Sequence, residues 1–290
     1  MASFTVSRHF AEEGDEENTR RRFAELTELG WPEHYGARFF GEREAAVYDD
    51  LAADMSDPAV VTPVVDTLAE LAGEGRALEF GIGTGRIALP LAERGVRVHG
   101  IDASEAMVAR LRAKAGGKEI DVTIGDFATA SVDGRFSLVY LVFNTIFNLI
   151  TQDEQVACFQ NAAEHLDAGG CFVVELGVPE LQRLPPGQNI SMIGVDAREM
   201  SFDVYDVVTQ RLTSHHFVIS EEKINSYPVE GRYAWPSELD LMARLAGLSL
   251  RETLGWLEAG AIHERQSLAR VHLREVLDCA RTSRVAATRF

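Results

Sequence analysis

Between residues 76 and 176, short apolar runs alternate with stretches of helical pattern. Five of these runs predict strands: "RALEFGIG", "VRVHGID", "DVTIGDF", "FSLVYLVF" and "CFVVELG". The segments "GRIALPLAERG", "SEAMVARLRAKA" and "QDEQVACFQNAAEHL" predict helices, with Gly95 ending the first and Ser104 capping the second. Such an alternation is typical of a doubly wound, Rossmann-like α/β fold, whose mostly parallel sheet is covered by helices on both faces.

The segment before this core is helical by pattern. "FFGEREAAVYDDLAADM" repeats apolar residues on one side of a helix. A second helix fits residues 59–72, before Gly73 and Gly75 end it. Residues 31–75 are therefore expected to form a small helical unit.

The pattern changes again after the core. Residues 189–234 alternate polar and apolar positions without a helical period, which predicts an antiparallel insertion of three or four strands. Residues 235–260 are expected to return to the core as a helix and a strand. In that helix, "PSELDLMARLAGL", Ser237 and Asp240 are spaced like a capping box and Gly247 is the expected end.

The composition is that of an ordinary globular protein except in its charge. Of 290 residues, 46% are hydrophobic and 25% are charged, with 45 acidic against 28 basic side chains. A net charge of −17 repels phosphate backbones and anionic lipids, so we expect neither nucleic acid nor a membrane as a partner. No run of apolar residues approaches the length that a transmembrane helix needs.

Charge and cysteine content also suggest where the protein resides. Residues 1–30 carry an acidic cluster and three consecutive arginines, which predicts a solvated or partly disordered leader with one helix around 18–29, and no signal peptide. The three cysteines form no CxxC pair, which argues against a disulfide scaffold and a structural zinc site. We expect a cytoplasmic, soluble monomer or homodimer without a metal.

The chemically informative segment is "EFGIGTGR", where a strand runs into a glycine-rich turn and then a helix. Without a Cβ, Gly81, Gly83 and Gly85 let the backbone turn tightly and approach a ligand closely. In open α/β sheets, ligands bind beyond the carboxyl ends of the strands. Asp102 ends the next strand and is placed to accept hydrogen bonds from ribose hydroxyls.

Two classes of ligand use this arrangement. A dinucleotide site has Gly or Ala at the last position of its glycine pattern, where this chain has Arg86. In addition, Glu79 places a carboxylate beside the position of a pyrophosphate, which disfavours a nicotinamide oxidoreductase. A carboxylate suits a cationic ligand. S-adenosylmethionine fits, because it has a sulfonium, an α-amino group and a ribose diol but no phosphate.

These motifs resemble a known family. "ALEFGIGTGRIALPLAERGVRVHGIDASEAMVARLRAK" resembles the first two motifs of class I S-adenosylmethionine-dependent methyltransferases of the small-molecule branch, and the segment from "TIGDF" to "VVEL" is similar to the rest of that core. The resemblance runs from about residue 35 to residue 255. It implies that 31–75 is a helical lid, that 76–188 is the cofactor-binding core, and that 189–234 is part of a substrate lid, as in sugar and glycine N-methyltransferases. Ile82 departs from the family, which commonly has Cys or Ala there.

The resemblance also implies a cofactor site for S-adenosylmethionine, made of Tyr48, Glu79, Gly81, Gly83, Thr84, Gly85, Asp102, Ala103, Met107, Asp126, Phe127, Phe143 and Asn144. Glu79 and the backbone of Gly81 and Gly83 would hold the amino end of the methionine. Asp102 would take the ribose diol, with Ala103 and Met107 against the ribose and the adenine.

The remaining residues of this set have more open roles. Asp126 and Phe127 would address the adenine, although Asp126 also suits a cap. Phe143 and Asn144 would lie near the methionine tail, or serve as a core residue and a turn former. Tyr48 would cover the cofactor carboxylate from the lid helix, or act as a core aromatic.

Two residues are candidates for catalysis. Glu175 ends the fifth strand and would face the substrate as a base or amine ligand, or be an ordinary strand-end carboxylate. His216 belongs to a His215-His216 pair, of which an alternating strand points one side chain inward. An amine acceptor needs only alignment, whereas a hydroxyl acceptor needs a base as well. The sequence therefore predicts methyl transfer to N or O of a small molecule, in secondary metabolism. The alternative is a cofactor-binding but catalytically inactive regulatory or partner subunit.

Residues 261–290 do not resemble the family. They hold six Arg, no Lys and three acidic residues, although the rest of the chain is strongly acidic. Relatives end in a Pro-Phe-Thr turn and an antiparallel seventh strand between the fifth and sixth. With freely chosen codons, Ala261–Glu275 reads much like that ending one nucleotide later. We therefore hypothesise a frameshift near 257–261; the alternative is a genuinely divergent tail, in which "RVHLRE" takes the strand's place.

Overall fold

A computed structural model describes residues 40–195, 199–219, 224–255 and 271–279, and the helix predicted around 18–29 lies outside these ranges. The helices are α1 (Glu42–Leu51), α2 (Pro58–Ala72), α3 (Ala88–Glu93), α4 (Glu105–Ala113), α5 (Gln152–His165) and α6 (Pro236–Leu245). The first five strands are β1 (Arg76–Phe80), β2 (Arg97–Asp102), β3 (Asp121–Ile124), β4 (Phe136–Leu141) and β5 (Leu166–Val178). The later strands are β6 (Ile190–Val195), β7 (Glu199–Asp206), β8 (Arg211–Ile219), β9 (Ile224–Arg232), β10 (Leu248–Gly255) and β11 (Val271–Cys279). None of the described helices is long and apolar enough to cross a membrane.

The core is a seven-stranded sheet in the order β10-β11-β5-β4-β1-β2-β3. Strands β1 to β5 are parallel to their neighbours among themselves, and β11 is antiparallel to both β5 and β10. The strand order reverses between β1 and β4, so the carboxyl ends of these two strands form the switch point where α/β proteins bind ligands. The predicted Rossmann-like sheet is confirmed.

Apolar side chains cover both faces of this sheet. On one face α2 buries Val61, Val64, Val65 and Leu68, spaced at helical intervals, against β1 and β4. On the other face a larger cluster joins the sheet to α5 and α6. Because helices cover both faces of the sheet, its central strands β1, β4 and β5 are buried on both faces and are nearly continuous apolar runs, as the sequence pattern indicated.

The insertion forms a separate antiparallel sheet in the order β6-β7-β8-β9. Four strands are present, as predicted. At the end of β9 the buried guanidinium of Arg232 donates to Gln155 of α5 and pairs with Glu238 of α6 at 2.6 Å. The Gln155 amide in turn donates to the carbonyls of Ile146 and Leu149. This network ties the insertion to the turn after β4.

Two predicted helix ends have different outcomes. The Ser104 cap is confirmed, because its hydroxyl accepts a hydrogen bond from the Met107 amide at 3.1 Å. The capping box of Ser237 and Asp240 is wrong: Trp235 is the N-cap of α6 and its side chain makes no capping hydrogen bond. Proline at the first helical position fixes φ and has no N–H to satisfy, so the helix begins before the serine.

The atypical tail contributes a strand to the sheet. The backbone of β11 pairs with β5 from Val271 opposite Val178 to Asp278 opposite Cys171. It lies between β5 and β10, where the family resemblance implied an antiparallel seventh strand. Residues 271–279 as written thus supply that strand, and the frameshift stays a hypothesis.

Candidate active site

Two glycines in the loop after β1 have no room for a side chain. Gly81 and Gly85 have φ of +71° and +83°, a conformation that favours glycine. A Cβ on Gly81 would lie 2.6 Å from Cγ2 of Thr145, and one on Gly85 would lie 2.3 Å from Cδ1 of Leu111. The loop is therefore held between the turn after β4 and α4, with its backbone close to the switch point.

Asp102, at the end of β2, is bound to this loop. Its Oδ2 accepts the Gly83 amide at 2.7 Å and its Oδ1 accepts the Ser104 amide at 2.8 Å. Burial raises the pKa of Asp102, and these two hydrogen bonds oppose the rise. Ala103 follows directly, and the buried Met107 lies close to Gly83, whose Cβ would be 3.5 Å from the methionine Cε. The structure thus brings these three predicted residues to one side of the loop.

Glu79 is a buried carboxylate on β1. The hydroxyl of Tyr140, on β4, donates to its Oε2 at 2.9 Å. Burial raises the pKa of Glu79 to about 8, although this hydrogen bond and the charge of Arg86 oppose the rise. A cation in the cleft would favour the ionised form and lower this pKa. Tyr140 belongs to the apolar run "FSLVYLVF", in which the hydroxyls of Ser137 and Tyr140 are the only side-chain polar groups that could have indicated this contact.

Polar contacts that were not predicted from the sequence hold helix α1 against the glycine loop. Asp49 accepts a hydrogen bond from the Thr84 hydroxyl at 2.6 Å and pairs with Lys114 at 2.9 Å. Burial alone would raise the pKa of Asp49, but the hydrogen bonds from Thr84 and Lys114 hold it below its ordinary value. These contacts place the half-buried Tyr48 at the cleft. The Thr84 hydroxyl is engaged by the helix.

The turn after β4 has an unusual backbone. Phe143 and Asn144 both have positive φ, +57° and +63°, which is uncommon for residues other than glycine. The Glu175 carboxylate accepts the Phe143 amide at 3.3 Å, and the Asn144 side chain accepts the amide of Gly177. Glu175 is 1% exposed. Its carboxylate therefore supports a strained turn, and such strain is often found at functional sites.

Asp126 and Phe127 follow β3 at the same edge of the sheet. Asp126 Oδ1 accepts the Ala128 amide at 2.9 Å, which makes a local turn. Phe127 is buried, and its ring stacks on Phe80 with centroids 5.9 Å apart. A Cβ on Gly81 would lie 3.8 Å from the Phe127 ring. Phe127 thus lies near the glycine loop, and the adenine roles of Asp126 and Phe127 stay predictions.

The two histidines lie in the other sheet. His215 of β8 is buried and stacks on Phe202 with centroids 4.9 Å apart, and burial lowers its pKa. His216 is half-buried, with its Nε2 3.0 Å from the Ser214 hydroxyl. Neither is among the described residues that line the cleft at the glycine loop. The catalytic role of His216 stays a prediction.

These elements enclose a cleft of about 340 Å³, including its open mouth. Its polar side chains come from α1, β1, the glycine loop, the residue after that loop and the turn after β4: Tyr48, Glu79, Thr84, Arg86 and Thr145. Phe143 and Thr145 close the side formed by the turn after β4. The buried carboxylate of Glu79 and the carboxylate of Asp102 beside it can accept hydrogen bonds from an ammonium and from ribose hydroxyls, which suits a cationic nucleoside. The residues present therefore fit S-adenosylmethionine.

Comparison with known proteins shows which family the chain resembles. A family model described as a methyltransferase domain matches residues 77–170. The cypemycin N-terminal methyltransferase of a Streptomyces species is 28% identical, over 71% of this chain and 89% of its own length. The structure of the CcbJ methyltransferase from Streptomyces caelestis is 36% identical, with a TM-score of 0.70 over 83% of this chain and 98% of that one.

A third protein shares the fold with its cofactor bound. It is SAM-bound CalS10, an amino pentose methyltransferase from Micromonospora echinaspora, 19% identical with a TM-score of 0.53 over 95% of this chain and 100% of that one. Fold and cleft define a Rossmann-like protein that binds a cationic nucleoside cofactor. The chain belongs to the S-adenosylmethionine-dependent methyltransferases, and S-adenosylmethionine is its cofactor.

Proposed function

We propose that this methyltransferase acts on an amine nitrogen of a small molecule in secondary metabolism. The observation that carries the proposal is that Glu79 is the one carboxylate among the described residues that line the cleft. That carboxylate is hydrogen-bonded by Tyr140 and is assigned to the amino end of the cofactor. A hydroxyl acceptor needs a general base, whereas an amine needs alignment and desolvation. The relative named as a cypemycin N-terminal methyltransferase supports the same class of acceptor.

In this proposal the residues of the chain bind the cofactor and orient it towards the acceptor. When bound, S-adenosylmethionine supplies a methyl group on a sulfonium sulfur. Glu79 holds the α-ammonium, Asp102 the ribose, and Phe127 with Asp126 the adenine. The turn at Phe143 and Asn144, supported by Glu175, sets the wall along which the methyl group faces the acceptor.

The same proposal assigns the two lids. Residues 31–75, which include α1, would cover the cofactor, and the insertion at 189–234 would cover the acceptor. The contacts of Asp49 with Thr84 and Lys114 support the first assignment, because they hold α1 against the glycine loop. The network at Arg232 supports the second, because it joins β9 to the turn after β4 through Gln155. His216 would then reach the acceptor from β8.

A screen with labelled S-adenosylmethionine tests the nitrogen assignment. It uses matched acceptors that differ only in the nucleophile: amino sugars with the corresponding sugars, and amino-acid amides with the corresponding 2-hydroxy-acid amides. We expect methylation of the amines, at rates that rise with pH towards the pKa of each amine. Methylation of the hydroxy compounds alone would refute the assignment. Cofactor binding with no product from either group would favour the inactive-subunit alternative.

A further inference from the structure

One nitrogen of the Arg86 guanidinium lacks a hydrogen-bond partner in the described part of the chain, although the side chain lines the cleft. This nitrogen, Nη1, is buried, and its N–H donor has no hydrogen-bond acceptor among the described residues. Burying such a donor without a partner is unfavourable, so unpaired buried groups call for an explanation. Among the ion pairs within 4 Å in the described residues, none includes Arg86, although its charge lowers the pKa of Glu79 in the same cleft.

The ring of Phe143 fixes the orientation of the Arg86 guanidinium. The guanidinium carbon lies 4.1 Å from the centroid of the Phe143 ring, a cation–π contact. Stacking on the aromatic face uses the plane of the guanidinium and leaves the N–H groups at its edge for another ligand. Because Phe143 belongs to the strained turn after β4, Arg86 is held where the carboxyl ends of β1 and β4 meet.

We propose that Arg86 binds the α-carboxylate of S-adenosylmethionine, while Glu79 binds its α-ammonium. The cofactor carries one anionic group, and a guanidinium can bind a carboxylate with two parallel hydrogen bonds. The opposite charges of Glu79 and Arg86 then match the zwitterionic end of the cofactor, and Tyr48 adds a neutral donor. The inference rests on the cofactor and not on the identity of the acceptor.

Calorimetry with two ligands measures how much the α-carboxylate contributes to binding. S-adenosylmethionine and its decarboxylated form share the sulfonium, the ammonium and the nucleoside. Arg86→Met preserves an apolar stem against Phe143 but removes the charge and the donors. We expect Arg86→Met to weaken binding of S-adenosylmethionine by about 10- to 150-fold, the range for hydrogen bonds to charged groups. Binding of the decarboxylated form should change by less than about threefold.

A second variant and a control separate this role from a structural one. Arg86→Lys keeps the charge without the planar fork, so its loss for S-adenosylmethionine should be intermediate. Arg112, an exposed residue of α4, is the matched control, and Arg112→Met should bind both ligands like the original protein. If Arg86→Met fails to fold, the same ligand pair is measured on Arg86→Lys. Equal losses for the two ligands, or no loss for either, would overturn the proposal.

Discussion

The buried carboxyl group of Glu79 makes the protein without cofactor sensitive to pH. Burial raises its pKa from 4.5 to about 8. The unfolded chain therefore releases this proton near pH 4.5 and the folded chain near pH 8. Between these values the folded state holds more protons than the unfolded state, so the free energy of unfolding falls as pH rises, and the loss is complete above pH 8.

The size of this effect follows from the shift. A change from 4.5 to about 8 corresponds to at most about 5 kcal/mol at 1.36 kcal/mol per pH unit. Glu79→Gln keeps the shape of the side chain but cannot ionise, so the variant should lose this part of the pH dependence and be the more stable protein at pH 8. It should also bind S-adenosylmethionine more weakly, because the neutral amide cannot pair with the α-ammonium.

Binding of the cofactor should release the proton that Glu79 holds in the empty site. If the ammonium requires an ionised Glu79, binding releases close to one proton, and affinity rises by about tenfold per pH unit between pH 5 and 7. An α-amino group such as that of the cofactor has a pKa of about 7.7–8, so affinities above pH 7 are not informative.

Two measurements check this reasoning. Urea unfolding of the original protein and of Glu79→Gln, from pH 5 to 8 without cofactor, gives the difference in stability. Calorimetry at pH 6.5 in two buffers of different ionisation enthalpy counts the protons released. Glu74→Gln, at an exposed glutamate, is the control. Parallel stability curves together with no proton release would mean that Glu79 is already ionised in the empty site, and the argument from burial would be wrong.

Three further predictions concern other parts of the site. Asp102→Ala should weaken S-adenosylmethionine binding by about 10- to 150-fold through loss of charge-assisted hydrogen bonds, and unchanged affinity in calorimetry would contradict the ribose assignment. Deletion of residues 1–47 removes most of α1 and should abolish turnover while circular dichroism still reports a folded sheet; full activity would refute the lid. Glu175→Ala should lower kcat about 10-fold or more without changing the pH profile if the carboxylate only supports the Phe143 turn, whereas loss of an acidic limb in that profile would indicate a base.

The parallel sheet and the glycine loop at its ligand edge were predictable because they have local signatures. Apolar runs of strand length separated by helical segments define a parallel sheet, and three glycines directly after a strand mark the ligand edge. Acidic residues at the ends of β1 and β2 then indicated a cationic ligand. Each of these features is contained in a few consecutive residues, so no knowledge of distant contacts was needed.

The contacts that complete the site have no such signature. Asp49, Thr84 and Lys114 are separated by 30 to 65 positions, and nothing in the pattern of any one of them indicates the others. Arg86 was read only as a mismatch to the dinucleotide pattern, since its position over Phe143 depends on a turn that follows another strand. The wrong capping box at Ser237 shows the opposite problem, because a matching local motif was overridden by the proline beside it.

The antiparallel strand β11 has a consequence for biosynthesis. It separates β5 from β10, so the backbone edge of β5 stays unpaired on that side for about 90 residues of further translation, until Val271–Cys279 emerges. During that interval the nascent chain presents a long apolar strand with free amide and carbonyl groups, which invites pairing with another copy. The native order requires the later strand to enter between two that already exist. Slow closure and a need for chaperone protection on the ribosome are the expected cost of this topology.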